Sequence, residues 1–70
     1  MINKLRLMRE KKSITQEELA NMVGVTARTI ISLEKGQYKP SIMLAYKLSL
    51  IFRLSIEELF MLEDNLKEEL

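Results

Sequence analysis

A single glycine at position 24 separates two short amphipathic segments, and this spacing restricts the fold more than any other feature of the chain. Leu19, Ala20 and Val23 repeat at helical spacing before it, and Thr26 can begin a new helix two residues after it. Glycine readily adopts the left-handed conformation that ends a helix. Two helices joined by so short a turn must cross steeply, and the small side chain of Ala20 permits close contact at the crossing. The sequence therefore predicts a helix-turn-helix corner over residues 16–34.

The rest of the chain carries helix signals and no strand pattern. Thr15 with Glu18, and Ser55 with Glu58, form capping-box motifs, in which a hydroxyl and a carboxylate bond backbone amides at a helix start. A further start is predicted at Ser41, directly after the only proline. We expect an all-α, compact five-helix domain with helices at about 3–12, 16–23, 27–35, 42–52 and 56–62 or beyond.

The composition excludes several functional classes. Seventy residues allow one domain, with residues 1–62 as its body and residues 63–70 as an acidic tail or helix extension. The chain has neither cysteine nor histidine, so it lacks the usual groups for disulfides, zinc binding and acid–base catalysis. It also lacks a glycine-rich phosphate loop. We therefore expect no enzyme activity, no cofactor, no metal site and no small-molecule substrate.

Charge is distributed unevenly along the chain. Residues 1–53 carry ten basic and four acidic side chains, a net charge of +6, whereas residues 54–70 carry one basic and six acidic side chains, a net charge of −5. The basic body favours a polyanionic partner, although a solvated charged surface is the simpler interpretation. No stretch approaches the roughly 20 apolar residues of a membrane span, so we expect a cytoplasmic protein without membrane contact.

Several stretches of the sequence resemble one protein family. The pattern Gln16-x-x-Leu19-Ala20-x-x-x-Gly24-x-x-x-x-x-Ile30-x-x-Leu33-Glu34 is similar to the helix-turn-helix of the lambda-repressor-like (XRE) family, which includes phage repressors, Cro proteins and small bacterial regulators. Ile2-x-x-Leu5-Arg6-x-x-Arg9 resembles the first helix of that family, and residues 34–41 and 54–60 resemble the loop after its third helix and its last helix. The resemblance implies a sequence-specific regulator that binds double-stranded DNA and usually acts as a dimer.

The outward face of the third predicted helix carries the candidate base contacts. At about 100° per residue, Ile30 and Leu33 turn inward, while Arg28 and Ser32 turn outward. The Arg28 guanidinium can donate two parallel hydrogen bonds to guanine, although a solvated surface arginine is the alternative. In the family, the positions that match this face vary to select the operator. The expected base-contacting residues are Ala27, Arg28, Thr29 and Ser32.

Contacts to the DNA backbone are expected around the same face. Gln16 begins the second predicted helix, where free amides and the helix dipole favour a phosphate, and the family uses the matching glutamine in this way. Each lysine of this region could equally be an unengaged surface residue. The expected backbone-contacting set is Gln16, Thr26, Lys35, Gln37 and Lys39. The family pattern also pairs the positions of Arg9 and Glu34, which we expect to form a structural ion pair.

The fourth predicted helix is apolar on two sides. A second apolar stripe lies behind its core stripe, and leucines continue the line of the last helix as far as Leu70 if that helix runs on. A helix that is apolar on both sides is normally buried on both sides. We therefore expect a homodimer, although an exposed face and a frayed tail are the alternative. The expected interface residues are Met43, Tyr46, Leu50, Leu62 and Leu66.

Ser13 and Arg53 depart from the family, which commonly has glycine at these positions to end the first and fourth helices. Each residue must either adopt a left-handed conformation, at a cost of about 1–2 kcal/mol, or end its helix differently. Neither departure removes the expected DNA-binding surface.

Two functional hypotheses remain. The favoured one is a nucleoid-associated transcriptional repressor, a homodimer that inserts its third helix into the major groove of a palindromic operator. The alternative is an antitoxin or other protein-binding module that presents the apolar face of its fourth helix and its acidic tail to a partner.

Overall fold

The computed structural model describes residues 1–69, which form six helices and no strand. The predicted all-α class and helix-turn-helix corner are confirmed, with one helix more than expected. In chain order the helices are α1 Leu5–Lys11, α2 Gln16–Val23, α3 Ala27–Glu34, α4 Ile42–Phe52, α5 Ile56–Leu59 and α6 Leu62–Glu69.

Side chains next to the helix starts satisfy the first backbone amides. The predicted capping boxes of α2 and α5 are both present, since the carboxylates of Glu18 and Glu58 accept hydrogen bonds from the cap amides at 2.9 and 3.0 Å. The hydroxyls of Thr26 and Ser41 accept from amides in the first turns of α3 and α4. Local hydrogen bonding therefore defines where α2 to α5 begin.

Left-handed residues follow each of the helices α1 to α5. Gly24 closes α2 with φ +75°, a conformation that costs glycine little. Ser13 and Arg53 adopt φ 56° and 54° after α1 and α4, although neither is glycine. Of the two ways of ending these helices, the chain uses the strained one in both cases, at a cost of about 1–2 kcal/mol each.

One hydrophobic core joins α1 to α5. Ala20 is only 1% exposed at the corner between α2 and α3, which contact each other more than any other helix pair in the described chain. A larger side chain at this position would separate the two helices. The largest fully buried side chains are Leu5, Leu19, Ile30, Leu33, Leu48, Leu59 and Phe60.

The chain after α5 differs from the predicted single helix through residue 62. Met61 adopts a left-handed φ of 49°, so that α5 ends at Leu59 and α6 begins at Leu62. The Asn65 amide donates hydrogen bonds to the carbonyl oxygens of Phe60 at 2.8 Å and Met61 at 3.0 Å. The first bond satisfies the Phe60 carbonyl group, which the break leaves without a helical partner, while the Met61 carbonyl oxygen also accepts from the Asn65 backbone amide at 3.0 Å. The Asn65 side chain thereby stabilises the separate helix.

The first helix also begins later than the predicted start at Asn3. The Asn3 side chain accepts a hydrogen bond from the Leu5 amide at 3.0 Å and donates one to the Leu33 carbonyl oxygen at 2.8 Å. This side chain therefore links the start of α1 to the end of α3. Leu70, the last position of the predicted leucine line, lies outside the described residues. No helix among residues 1–69 has the length and hydrophobicity to cross a membrane.

Candidate nucleic-acid interface

The corner between α2 and α3 leaves one face of α3 uncovered. Ile30 and Leu33 are fully buried, whereas Arg28 and Lys35 are exposed and Ser32 is partly exposed. Burial of the inward residues fixes the rotation of the helix, so the basic groups on its other side face solvent. A helix about 10–12 Å across fits the major groove of DNA, which is about 12 Å wide.

The remaining predicted base contacts lie at the start of α3. Ala27 is partly buried and packs against the core. The Thr26 hydroxyl accepts a hydrogen bond from the Thr29 amide at 3.3 Å, and the two threonine hydroxyls lie 3.2 Å apart. Both hydroxyls are therefore engaged with one another, and Thr26 is exposed while Thr29 is partly exposed.

A hydrogen-bonded network connects α3 to α1 and α2. Arg9 Nε lies 2.6 Å from Glu34 Oε2 and Arg9 Nη2 lies 3.3 Å from Oε1, while Arg9 Nη1 donates to the Ile14 carbonyl oxygen at 2.8 Å. Gln16 Nε2 donates to Glu34 Oε1 at 3.1 Å. The Arg9 and Glu34 side chains are only 12% and 4% exposed. The hydrogen bond to Glu34 raises the pKa of Arg9 above its already high ordinary value.

An additional arginine lies beside this network. Arg6, Gln16, Ile31 and Lys35 line one shallow concavity, and the Arg6 side chain is 71% exposed. Arg6 is not among the residues predicted from the sequence to contact DNA. It precedes Arg9 by three residues in α1, which places both side chains on the same helix face. That spacing is the sequence signal by which Arg6 could have been identified.

The loop after α3 carries the last two predicted backbone contacts. Gly36 adopts φ +72°, and the Gln37 amide donates to the Ser32 carbonyl oxygen at 3.0 Å, which folds the loop back onto the helix. Gln37 and Lys39 are exposed. Lys39 Nζ lies 2.6 Å from Glu69 Oε1, so this lysine already has an acidic partner on α6.

The predicted second stripe of α4 is exposed. Met43, Tyr46 and Leu50 have exposed fractions of 59%, 50% and 59%, opposite the buried face of the helix. Ile42, one turn before Tyr46, is 79% exposed and lines a groove with Leu62. No described residue covers this apolar surface.

Apart from the Glu34 carboxylate, which is only 4% exposed and paired with Arg9, the groups gathered around α3 are cations, amides and hydroxyls. No group of three acidic side chains within residues 1–69 is arranged to hold a metal ion. Donor groups of this kind bind phosphate oxygens and the acceptor atoms of base edges. Together with the α2–α3 corner they define the class of the protein, a helix-turn-helix DNA-binding protein.

Comparison with known sequences identifies the family. Residues 5–59 match the sequence model of the Helix-turn-helix family, and the chain belongs to this family. The lambda-repressor-like (XRE) type inferred from the sequence is confirmed. The protein is a DNA-binding transcriptional regulator and not an enzyme.

Relatives share nearly the whole chain. Over 65 residues the chain is 50% identical to an HTH-type transcriptional regulator of Archaeoglobus fulgidus, covering 93% of each protein. It is 46% identical over 65 residues to one of Methanocaldococcus jannaschii, covering 93% of this chain and 98% of the relative. It is also 35% identical over 69 residues to the cryptic phage CTXphi transcriptional repressor RstR of Vibrio cholerae, covering 97% of this chain and 62% of RstR.

Proposed function

We propose that the protein is a repressor that binds a palindromic operator as a homodimer, with α3 of each protomer in the major groove. The observation that carries this proposal is the uncovered basic face of α3, whose orientation is fixed by two fully buried residues and by the Arg9–Glu34 ion pair. The relative RstR is named a repressor, which favours repression over activation. A bound dimer would repress by occupying the site that polymerase needs.

Arg28 is the proposed main base contact. It is exposed in the first turn of α3, the part of a recognition helix that reaches base edges first. A guanidinium that donates two hydrogen bonds to guanine discriminates against other bases by about 1–3 kcal/mol. The Ala27 and Thr29 methyl groups would contact thymine methyl groups, and the Ser32 hydroxyl can donate or accept.

The backbone contacts are proposed to surround these base contacts. Gln16 and Thr26 lie at the two helix starts, and Lys35, Gln37 and Lys39 lie at the end of α3 and in the loop that follows. Arg6 joins them because it lines the same concavity as Gln16 and Lys35. Three cations per protomer, Arg6, Lys35 and Lys39, give about six phosphate contacts per dimer and a salt slope near −5 on logarithmic axes.

Enrichment of random duplex DNA on the purified protein tests the DNA-binding part of the proposal. We expect a two-fold symmetric site with half-sites about 34 Å apart. Arg28→Ala should relax one base position per half-site by about 1–3 kcal/mol. Lys35→Ala, the matched change directly after the same helix, should weaken binding to all sequences alike and lower the salt slope by about one per half-site. An Arg28→Ala variant with unchanged base preference would contradict the assigned readout.

The dimer is proposed to form through the apolar face of α4. Exposed apolar residues at helical spacing occur there on the side opposite the core, and the groove shared by Ile42 and Leu62 extends the apolar surface toward α6. Pairing two copies would remove this surface from water. The proposed interface residues are Met43, Tyr46, Leu50, Leu62 and Leu66.

Sedimentation equilibrium tests the dimer. We expect the wild type to have the mass of a dimer and the Met43→Glu/Leu50→Glu variant that of a monomer, because each glutamate places a charge in the apolar contact. Met22→Glu is the matched control, since Met22 is a similarly exposed apolar residue, at 57%, on α2 and not on α4. A monomeric wild type, or a double variant with unchanged mass, would exclude this interface.

A protein-binding module, such as an antitoxin, is the second candidate. The exposed apolar face of α4 and the acidic α6 favour it, since both would suit a protein partner. In that case the enrichment experiment would select no DNA sequence, and an unrelated polypeptide would copurify with the protein.

A further inference from the structure

The acidic helix α6 places one carboxylate on the lysine of the proposed DNA-binding loop. Residues 62–69 carry four acidic side chains and one lysine, a net charge of −3. Of these acids, Glu69 forms an ion pair with Lys39, with Nζ and Oε1 2.6 Å apart, and the hydrogen bond from Lys39 lowers the pKa of Glu69. Both side chains remain accessible to water, with exposed fractions of 69% for Lys39 and 54% for Glu69.

A buried contact sets the orientation of α6. Asn65 is only 9% exposed, and its side chain accepts a hydrogen bond from the Ile2 amide at 3.0 Å and donates to the Ile2 carbonyl oxygen at 2.8 Å. Glu69 follows Asn65 by four residues and therefore lies on the same helix face. Both residues line one groove together with Lys39. Glu68, by contrast, is turned about 100° around the helix.

We propose that Glu69 competes with the DNA backbone for Lys39 and thereby lowers the affinity of the protein for every duplex. The inference rests on the proposed function, in which Lys39 binds a phosphate. Carboxylate and phosphate oxygens both accept hydrogen bonds from an ammonium group, and the negative charge of Glu69 beside Lys39 opposes the approach of a phosphate to that lysine. Because the contact is to the backbone, the competition changes affinity without changing base preference.

The structure limits the size of this effect. An exposed ion pair stabilises by about 0.2–1 kcal/mol, which corresponds to roughly 1.5- to 5-fold in affinity per half-site. Such a factor is too small to prevent operator binding. It applies to specific and non-specific DNA alike, because both are bound through backbone contacts.

Glu69→Gln and Glu68→Gln form a matched pair for the test. Each removes one negative charge from neighbouring exposed positions, but only Glu69→Gln removes the Lys39 partner. Affinity is measured at low salt for a duplex of about 30 base pairs that carries the enriched site, and for a mixed-sequence duplex of equal length. We expect Glu69→Gln to raise affinity for both duplexes roughly 1.5- to 5-fold per half-site beyond the effect of Glu68→Gln.

The same comparison in a Lys39→Gln background completes the experiment. In that background, Glu69→Gln and Glu68→Gln should have equal affinity for DNA, because Glu69 no longer has a lysine partner at position 39. Two results would overturn the competition while leaving DNA binding intact. One is equal affinity of Glu69→Gln and Glu68→Gln when Lys39 is present, and the other is an excess gain in affinity for Glu69→Gln that persists in the Lys39→Gln background. No measurable binding by the wild type or by any variant would overturn both the competition and the proposed function.

Discussion

Breaking the Arg9–Glu34 pair should destabilise the fold more when arginine is the residue removed. Arg9→Met leaves a carboxylate that is 4% exposed with Gln16 as its remaining side-chain donor. Glu34→Leu leaves an arginine that is 12% exposed and still bonded to the Ile14 carbonyl oxygen at 2.8 Å. Loss of one partner of a buried ion pair costs about 3–5 kcal/mol. We expect Arg9→Met at the upper end of this range and Glu34→Leu at the lower end.

A double-mutant cycle measures this coupling. Small domains are stable by only about 0.05–0.15 kcal/mol per residue, so either single change removes a large part of the free energy of unfolding. The Arg9→Met/Glu34→Leu variant should be more stable than Arg9→Met alone, because it leaves no buried charge. Urea unfolding followed by far-ultraviolet circular dichroism gives the four free energies, with sucrose present to keep the single variants folded.

The expected coupling free energy exceeds about 2 kcal/mol, whereas independent residues add to within about 0.5 kcal/mol. Protein concentration is held constant across the cycle, because self-association would raise the apparent stability. Additive losses would refute the reasoning, since they would mean that the two side chains do not interact in solution.

Three further predictions concern caps and glycines. Hydrogen bonds from the cap residues hold the pKa values of Glu18 and Glu58 below the ordinary value of 4.5. The stability that these two carboxylates contribute is therefore complete above that pH and is lost as pH falls through the lowered pKa values. The Glu18→Gln/Glu58→Gln variant keeps the capping bonds without titrating, and its melting temperature should decline less between about pH 5 and pH 3; an equal decline would contradict the assignment. Gly36→Ala should destabilise more than Gly24→Ala in urea unfolding, because both glycines have positive φ but only at Gly36 would the added carbon collide with a backbone carbonyl oxygen; equal losses would count against that close approach. Arg53→Gly should raise the free energy of unfolding by roughly 1 kcal/mol, since it relieves a left-handed arginine, and a lower value would argue that the strain is absent.

Much of the DNA-binding unit could be predicted from the sequence. Capping hydroxyls act on amides two or three residues away, so the starts of α2 to α5 could be read from neighbouring residues. Gly24 marked the corner, and helical periodicity separated the buried Ile30 and Leu33 from the exposed Arg28 and Lys35. All of these features depend on contacts within about one helical turn.

Apart from the Arg9–Glu34 pair, which the family resemblance implied, contacts between distant residues were decided only by the tertiary structure. The break between α5 and α6 depends on Asn65, which bonds Ile2 across 63 positions of the chain. The contact of Lys39 with Glu69, 30 positions apart, follows from how that helix is held. Periodicity and capping motifs describe each helix separately, and they contain no distance between one helix and another. Packing of the whole core supplies those distances, because the buried faces of all helices must fill one volume together.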